Sequence, residues 1–221
     1  MSDTYVIADP HLDREGRNTV NRPFGSTLEM SREIVGQINS RVKRQDRLII
    51  VGDFSFREPE YWRGQIKCNC ILVMGNHDNW PKSLKAFGKF RQNVYQAYDG
   101  KLCGHRTHFV HYPTLYWPAS HYGSFHCFGH VHDQRTETIE TAFPGIRAMD
   151  VSVDAAMRLL GKYTCFHERE IYDILIARPG HDPVEWYKER RGEYPHKDHD
   201  PVQEYLDEVK KTTGREDRYG H

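Results

Sequence analysis

The chain has 221 residues, enough for one buried core, and its 31 basic and 31 acidic residues cancel. A net charge of zero supplies no global field toward nucleic acid or an anionic membrane, although it leaves a local basic groove open. No apolar run approaches the roughly 20 residues that span a bilayer, and Met1-Ser2-Asp3-Thr4 lacks a secretory pattern, so the cytoplasm is the expected compartment.

Residues 4–8 predict a first buried strand, with Asp9 and His11 just beyond it. In extended backbone, residues two apart point the same way, so both side chains are expected to reach one metal ion. A loop from Leu12 to Gly25 carries Arg14, Arg17 and Arg22. Ser26 followed by Glu29 is a capping-box pattern. Met30, Ile34, Ile38 and Val42 then recur at helical spacing and predict a helix over 27–43. A second strand is expected at 47–51, with Asp53 past its glycine, then a short surface helix within Arg57–Gln65. A third strand at 70–74 delivers Asn76 and His77. Strands alternating with helices imply βαβ units and a parallel sheet.

Past Asn93 the pattern shortens. Residues 94–98 and 101–103 flank Asp99-Gly100, which predicts a hairpin turning at that dipeptide. Phe109-Val110 ends at His111, and Phe125–Phe128 ends at Gly129-His130-Val131-His132. Residues 149–153 predict a later strand, and 168–177 a closing helix. The expected domain is therefore 1–180. Residues 181–221, charged and poor in aliphatics, are expected to form a peripheral helical or partly disordered extension. The five cysteines include no Cys-x-x-Cys and are expected as buried reduced thiols.

Each apolar run thus ends in a residue of metal-ligand type: Asp9, His11, Asp53, Asn76, His111, His130 and His132. Two carboxylates, one amide oxygen and four imidazoles suit two divalent ions of the Mn, Fe, Co, Ni or Zn kind. Calcium would want more oxygen, and structural zinc would want thiolates. Two ions roughly 3.5–4 Å apart can share a carboxylate and a hydroxide, which serves in-line attack on a phosphoester. Among the neighbours, His77 is the expected general acid and Asp78 its orienting carboxylate. Arg22 is a candidate phosphate clamp. Trp80, Tyr112, Tyr116 and Trp117 are candidates for stacking on a base or sugar.

In order, Asp-x-His, Gly-Asp, Gly-Asn-His-Asp, His-x-Pro and Gly-His-x-His resemble the calcineurin-like metallophosphoesterase superfamily. Arg22-Pro23-Phe24, Glu29-Met30 and Val151-Ser152-Val153-Asp154 further resemble a small bacterial and phage branch. The resemblance implies an α/β fold, a four-layer α/β/β/α sandwich with a dinuclear metal site at the strand C-terminal ends. It implies one metal on Asp9, His11, Asp53 and His132, and another on Asp53, Asn76, His111 and His130. Manganese is foremost among the metals. The implied activity is hydrolysis of a phosphodiester or phosphomonoester, nucleotide-like or otherwise small, by a metal-bridging hydroxide. A nuclease or a nucleotide pyrophosphatase is the alternative on the same site. A non-catalytic metal-binding scaffold for protein partners is the rival from another class. Phe54-Ser55-Phe56-Arg57 departs from the continuation found in protein serine/threonine phosphatases, which argues against phosphoprotein substrates. Oligomeric state is not legible.

Overall fold

The computed structural model describes residues 2–14, 22–88, 93–134, 136, 139 and 145–180, all within a unit spanning Met1–Pro183. The extension expected at 181–221 and Arg17 lie outside the described residues. Among those described, no helix is long and apolar enough to cross a membrane.

Strand β1 (Thr4–Ile7) is followed by α1 (Thr27–Arg41), β2 (Arg47–Val51), α2 (Pro59–Gln65), β3 (Asn69–Val73), α3 (Trp80–Phe87) and β4 (Val94–Tyr95). These strands, with β9 (Phe166–His167), form a sheet in the order β4-β3-β2-β1-β9. It is parallel except at β9. The βαβ alternation in the sequence is what makes the sheet parallel, since each helix returns the chain to the same edge. Near-continuous apolar strands such as Leu48-Ile49-Ile50-Val51 show that both faces are covered.

On one face, Met30, Ile34, Val35 and Ile38 of α1 pack on Ile7, Leu48, Ile50 and Leu72, joined by Trp62, Ile66 and Phe87. Ser26 caps α1 by accepting the Glu29 N–H, and the Glu29 carboxylate accepts from Gly25. The opposite face, Val6, Ala8, Ile49, Val51 and Val73, packs on a second mixed sheet. That sheet runs β5 (Tyr98–Leu102), β6 (His105–Phe109), β7 (Phe125–Phe128), β8 (Ala148–Asp150). It contributes Leu102, Phe109, Phe125, Cys127 and Met149 to the shared core. Helices α4 (Val153–Leu160) and α5 (Glu168–Ile176) close it with Ala155, Ala156, Ile171 and Leu175.

Several expectations are corrected. The hairpin turns at Cys103-Gly104, whose φ of 48° and 80° supply the left-handed pair that such a turn requires. Asp99 and Gly100 lie inside β5, paired with His108 and Thr107, and Asp99 meets the His108 ring at 3.1 Å across the strands. Val94-Tyr95 belongs to the first sheet. The strand expected at 149–153 stops at Asp150, because Ser152 caps α4 by accepting the Ala155 N–H. Cys103 is exposed, whereas Cys68, Cys70, Cys127 and Cys165 are free and buried as expected.

The two sheets are laced together where their strands end. Ala8 N–H donates to the Val151 carbonyl, and Val153 N–H to the Ala8 carbonyl. Asp9 N–H donates to Gly52, His11 N–H to Asp53, and Gly129 N–H to His111. These links bring the C-terminal ends of β1, β2, β6, β7 and β8 to one place.

Candidate metal centre

All seven predicted ligands converge there. Asp9, His11 and His132 bring one ligand atom each within 4.8 Å of one another, and so do Asp9, Asp53 and His111. Asn76 Oδ1 completes the second group, 3.1 Å from His111 Nε2 and 3.0 Å from His130 Nδ1. Asp9, His11, Asp53 and His111 are buried, while His130 is exposed at the mouth.

The backbone that presents these groups is unusual. Asp9, His11, Asp53, His130 and His132 have φ of 54°, 49°, 53°, 70° and 50°, all in the left-handed region. Such conformations cost of order 1–3 kcal/mol each for residues other than glycine, and they cluster at functional sites. The expectation that Asp9 and His11 align through an extended backbone is therefore corrected. Two left-handed residues flank Pro10 and turn both side chains inward.

Close approach also fixes two glycines. A Cβ on Gly75 would lie 2.2 Å from Asp53 Oδ1, and one on Gly129 2.3 Å from Asp9 Oδ2. Strand and loop touch the ligand carboxylates directly, which leaves no room for a side chain.

The donor set fits a cation. Asp53 Oδ2 faces His11 Nε2 at 3.5 Å, His111 Nε2 at 3.6 Å and His77 Nε2 at 3.9 Å. Asp9 Oδ1 faces His11 Nε2 at 3.6 Å and His132 Nε2 at 3.7 Å. These separations are too long for hydrogen bonds, and Asp9 Oδ1 is buried with no hydrogen-bond partner. An orphaned buried carboxylate oxygen is costly unless something positive meets it. Burial, then the carboxylates of Asp150 and Asp53, push the Asp9 carboxyl well above the usual carboxylate range. Burial and the neighbouring His132 hold His11 far below the usual imidazole range, as a neutral ligand must be. His111 and His130 are lowered as well, chiefly by burial.

Outer partners set the imidazole tautomers. The Val51 carbonyl can only accept, so His111 Nδ1 carries the hydrogen at 3.0 Å and Nε2 keeps its lone pair for the site. His132 Nδ1 lies 2.9 Å from Asp154 Oδ2 with the same result. Asp154 is a residue that sequence reasoning missed: it stands in the sequence only as the last residue of the Val151–Asp154 motif, directly after an expected strand, with no role at the site. Burial acts to raise its carboxyl, but hydrogen bonds from Arg22 and His132 outweigh that and hold it below the ordinary value. Asp150 was missed too: its carboxylate accepts from the N–H groups of Asp133 and Ser152 and so fixes the loop carrying His130 and His132.

Arg22 is not placed as a phosphate clamp. It is 1% exposed, and its Nε and Nη2 donate to Asp154 at 2.8 and 2.7 Å. Nη2 and Nη1 also donate to the carbonyls of Asp9 and Pro10, at 2.7 and 3.1 Å. Its fork is used to hold the ligand loop. Asp78 does not orient His77. Its carboxylate accepts from the N–H groups of Asp53, Phe54 and Gly75, at 2.8, 3.0 and 2.9 Å. Burial lifts its carboxyl to about 6.

His77 has a 40% exposed side chain with Nε2 at the edge of the cluster, and its ring lies 4.9 Å from that of Phe56. Arg14, half-buried, places its guanidinium 4.7 Å over Phe56 and 3.3 Å from His11 Nδ1. Tyr112 is exposed, and its ring centroid lies 4.5 Å from that of His130 with the planes tilted by 58°. Trp80 and Tyr116 are exposed. Trp117 is buried, donating from Nε1 to the Ser124 carbonyl, so it packs and does not stack on a ligand.

No family model and no curated protein matches this chain. A crystal structure of a protein of unknown function, AQ665 from Aquifex aeolicus, is similar over 79% of this chain and 100% of that one. The identity is 23% and the TM-score 0.61. That likeness establishes a shared α/β fold and says nothing of chemistry.

Proposed function

We propose that the chain is a metal-dependent phosphoesterase of the calcineurin-like type, acting on a phosphodiester or phosphomonoester of a small, nucleotide-like molecule. The observation that carries this reading is the buried, unpartnered Asp9 Oδ1, ringed by His11 and His132 and adjoining a second group around Asp53. The four-layer sandwich of that superfamily accounts for two facing sheets whose strand ends meet at this cluster.

Asp9, His11, Asp53 and His132 would hold one divalent ion, and Asp53, Asn76, His111 and His130 the other, with manganese foremost. When bound, two such ions activate water and neutralise charge developing on the phosphoryl oxygens. The protein's own part follows from its geometry. Left-handed loops fix the carboxylates before substrate arrives, so little reorganisation is left for the reaction. The exposed His77 Nε2 can donate a proton to the leaving oxygen. Arg14 supplies a cation on the same side, and Tyr112 an aromatic face on the His130 side. No phosphoprotein specificity is proposed.

The test is hydrolysis of a panel of mononucleotides, cyclic nucleotides, dinucleoside polyphosphates and short oligonucleotides by the Mn-loaded full chain, with metal content measured in parallel. Two bound ions with turnover of one class supports the reading. Two bound ions with no hydrolysis of any phosphoester favours the scaffold alternative.

A further inference from the structure

Arg22 and Asp154 are 132 residues apart, yet they form a paired contact that is almost sealed from solvent: Arg22 is 1% exposed at its side chain and Asp154 13%. Burying this pair is expensive unless each polar atom is used, and each is. One Asp154 oxygen accepts from Arg22 Nε, and the other from both Arg22 Nη2 and His132 Nδ1. Arg22 then reaches on to the carbonyls of Asp9 and Pro10. The pair therefore ties together His132, on the loop after β7, and the Asp9–His11 turn after β1. On the other side of the cluster, His111 is oriented by a neutral carbonyl, that of Val51.

We propose that Asp154 is a positioning residue for one half of the centre. It fixes the His132 tautomer, raises the basicity of Nε2 and, through Arg22, holds Asp9 and His11 in register with it. This rests on reading the cluster as a two-metal centre. A carboxylate behind a ligating imidazole strengthens the ligand, and its loss typically weakens metal binding roughly 10–100-fold. Because Asp154 meets His132 directly and Asp9 only through Arg22, the loss should fall chiefly on the ion held by Asp9, His11 and His132. The Asn76, His111, His130 group should be spared.

The experiment is calorimetric titration of metal-free full-length chain with Mn(II), with bound metal counted by mass spectrometry, for wild type and Asp154→Asn. The expected result is two ions in wild type, with one weakened roughly 10–100-fold in the variant and the other within about twofold. Long-range 1H–15N spectra of the metal-free chains should show the hydrogen on His132 Nδ1 in wild type and a tautomer mixture in the variant, a signature that mere loosening of the fold does not produce. Should Asp154→Asn fail to fold, because Arg22 is left as a buried cation, the double variant Arg22→Met, Asp154→Asn removes that charge and repeats the titration. Two ions bound as in wild type, or both weakened alike, overturns the inference while leaving the two-metal reading intact. A wild-type chain that takes up no Mn(II) overturns both.

Discussion

Asp78 holds Asp53 from behind. Its Oδ2 accepts the Asp53 N–H at 2.8 Å, while Asp53 Oδ1 accepts the His77 N–H at 2.9 Å. The loop after β2 and the loop after β3 are thus clasped by reciprocal carboxylate-to-backbone bonds, and only Asp53 Oδ2 is left to face the imidazoles of His11, His77 and His111.

Asp53→Asn should fold, because the amide oxygen can still accept from His77, and should lose both metal and turnover. The shared carboxylate loses its charge between two cations. Metal content and turnover check this together; full occupancy with wild-type turnover would sink the two-metal assignment.

His77→Ala should keep both ions and the fold while losing chemistry. His77 Nε2 is 3.9 Å from Asp53 Oδ2 at the exposed edge, and the ring belongs to neither group of ligands. Removing a general acid costs roughly 10²–10⁴-fold in rate. The loss should be smaller for a nitrophenyl ester, whose leaving group departs unprotonated, than for an alkyl or ribosyl ester. Equal losses would point to charge stabilisation in its place.

Arg14→Ala should raise KM with little change in kcat. Its guanidinium is half-buried over Phe56 beside His11, the side from which a phosphate would approach. A charge-assisted hydrogen bond is worth about 1.5–3 kcal/mol, so a roughly 10–100-fold rise is expected. Arg22→Lys, by contrast, should show up in stability, since Arg22 meets protein groups only at a buried site. Steady-state kinetics of the first and thermal unfolding of the second separate the two arginines.

A pH dependence follows from His126, away from the centre. It is fully buried beside Trp117 and Phe128, with Nδ1 donating to the His108 carbonyl and Nε2 accepting from Thr114 N–H. Burial pushes its pKa down to about 3. The folded state then refuses a proton that the unfolded chain accepts near pH 6.5. The stability from a neutral His126 is whole above about 6.5 and drains away as pH falls toward 3, at up to about 1.4 kcal/mol per pH unit. His126→Gln should flatten that limb of the unfolding free energy measured by denaturant between pH 4 and 7; an unchanged slope would mean the site protonates without cost.

Much of this was legible in the residues. Strands that run apolar on both faces and stop at Gly-Asp or Gly-Asn announced a parallel sheet, and the seven candidate positions read after the strands do come together at the strand ends. Arg22 and Asp78 were misread for a common reason. Both side chains are spent inside the protein, Arg22 on the Asp154 carboxylate and the carbonyls of Asp9 and Pro10, Asp78 on the N–H groups of Asp53, Phe54 and Gly75. A sequence does not show which groups will be left for them to pair. Asp154 was missed because what matters about it is contact across the joint between sheets, and Asp150 because its carboxylate serves the N–H groups of its own neighbour Ser152 and of Asp133 on the adjoining loop. The left-handed φ at Asp9 and His11 was hidden as well: Asp and His enter that region more readily than most residues, but a sequence does not show which of them will.

The candidate ligands come from loops on both sheets: Asp9, Asp53 and Asn76 follow strands of the first, His111 and His130 strands of the second. Neither sheet alone carries a complete set. During refolding, high-affinity metal uptake should therefore lag behind the formation of secondary structure and coincide with the docking of the two sheets. A metal-sensitive dye present from the start of refolding would act as a clock for that last step.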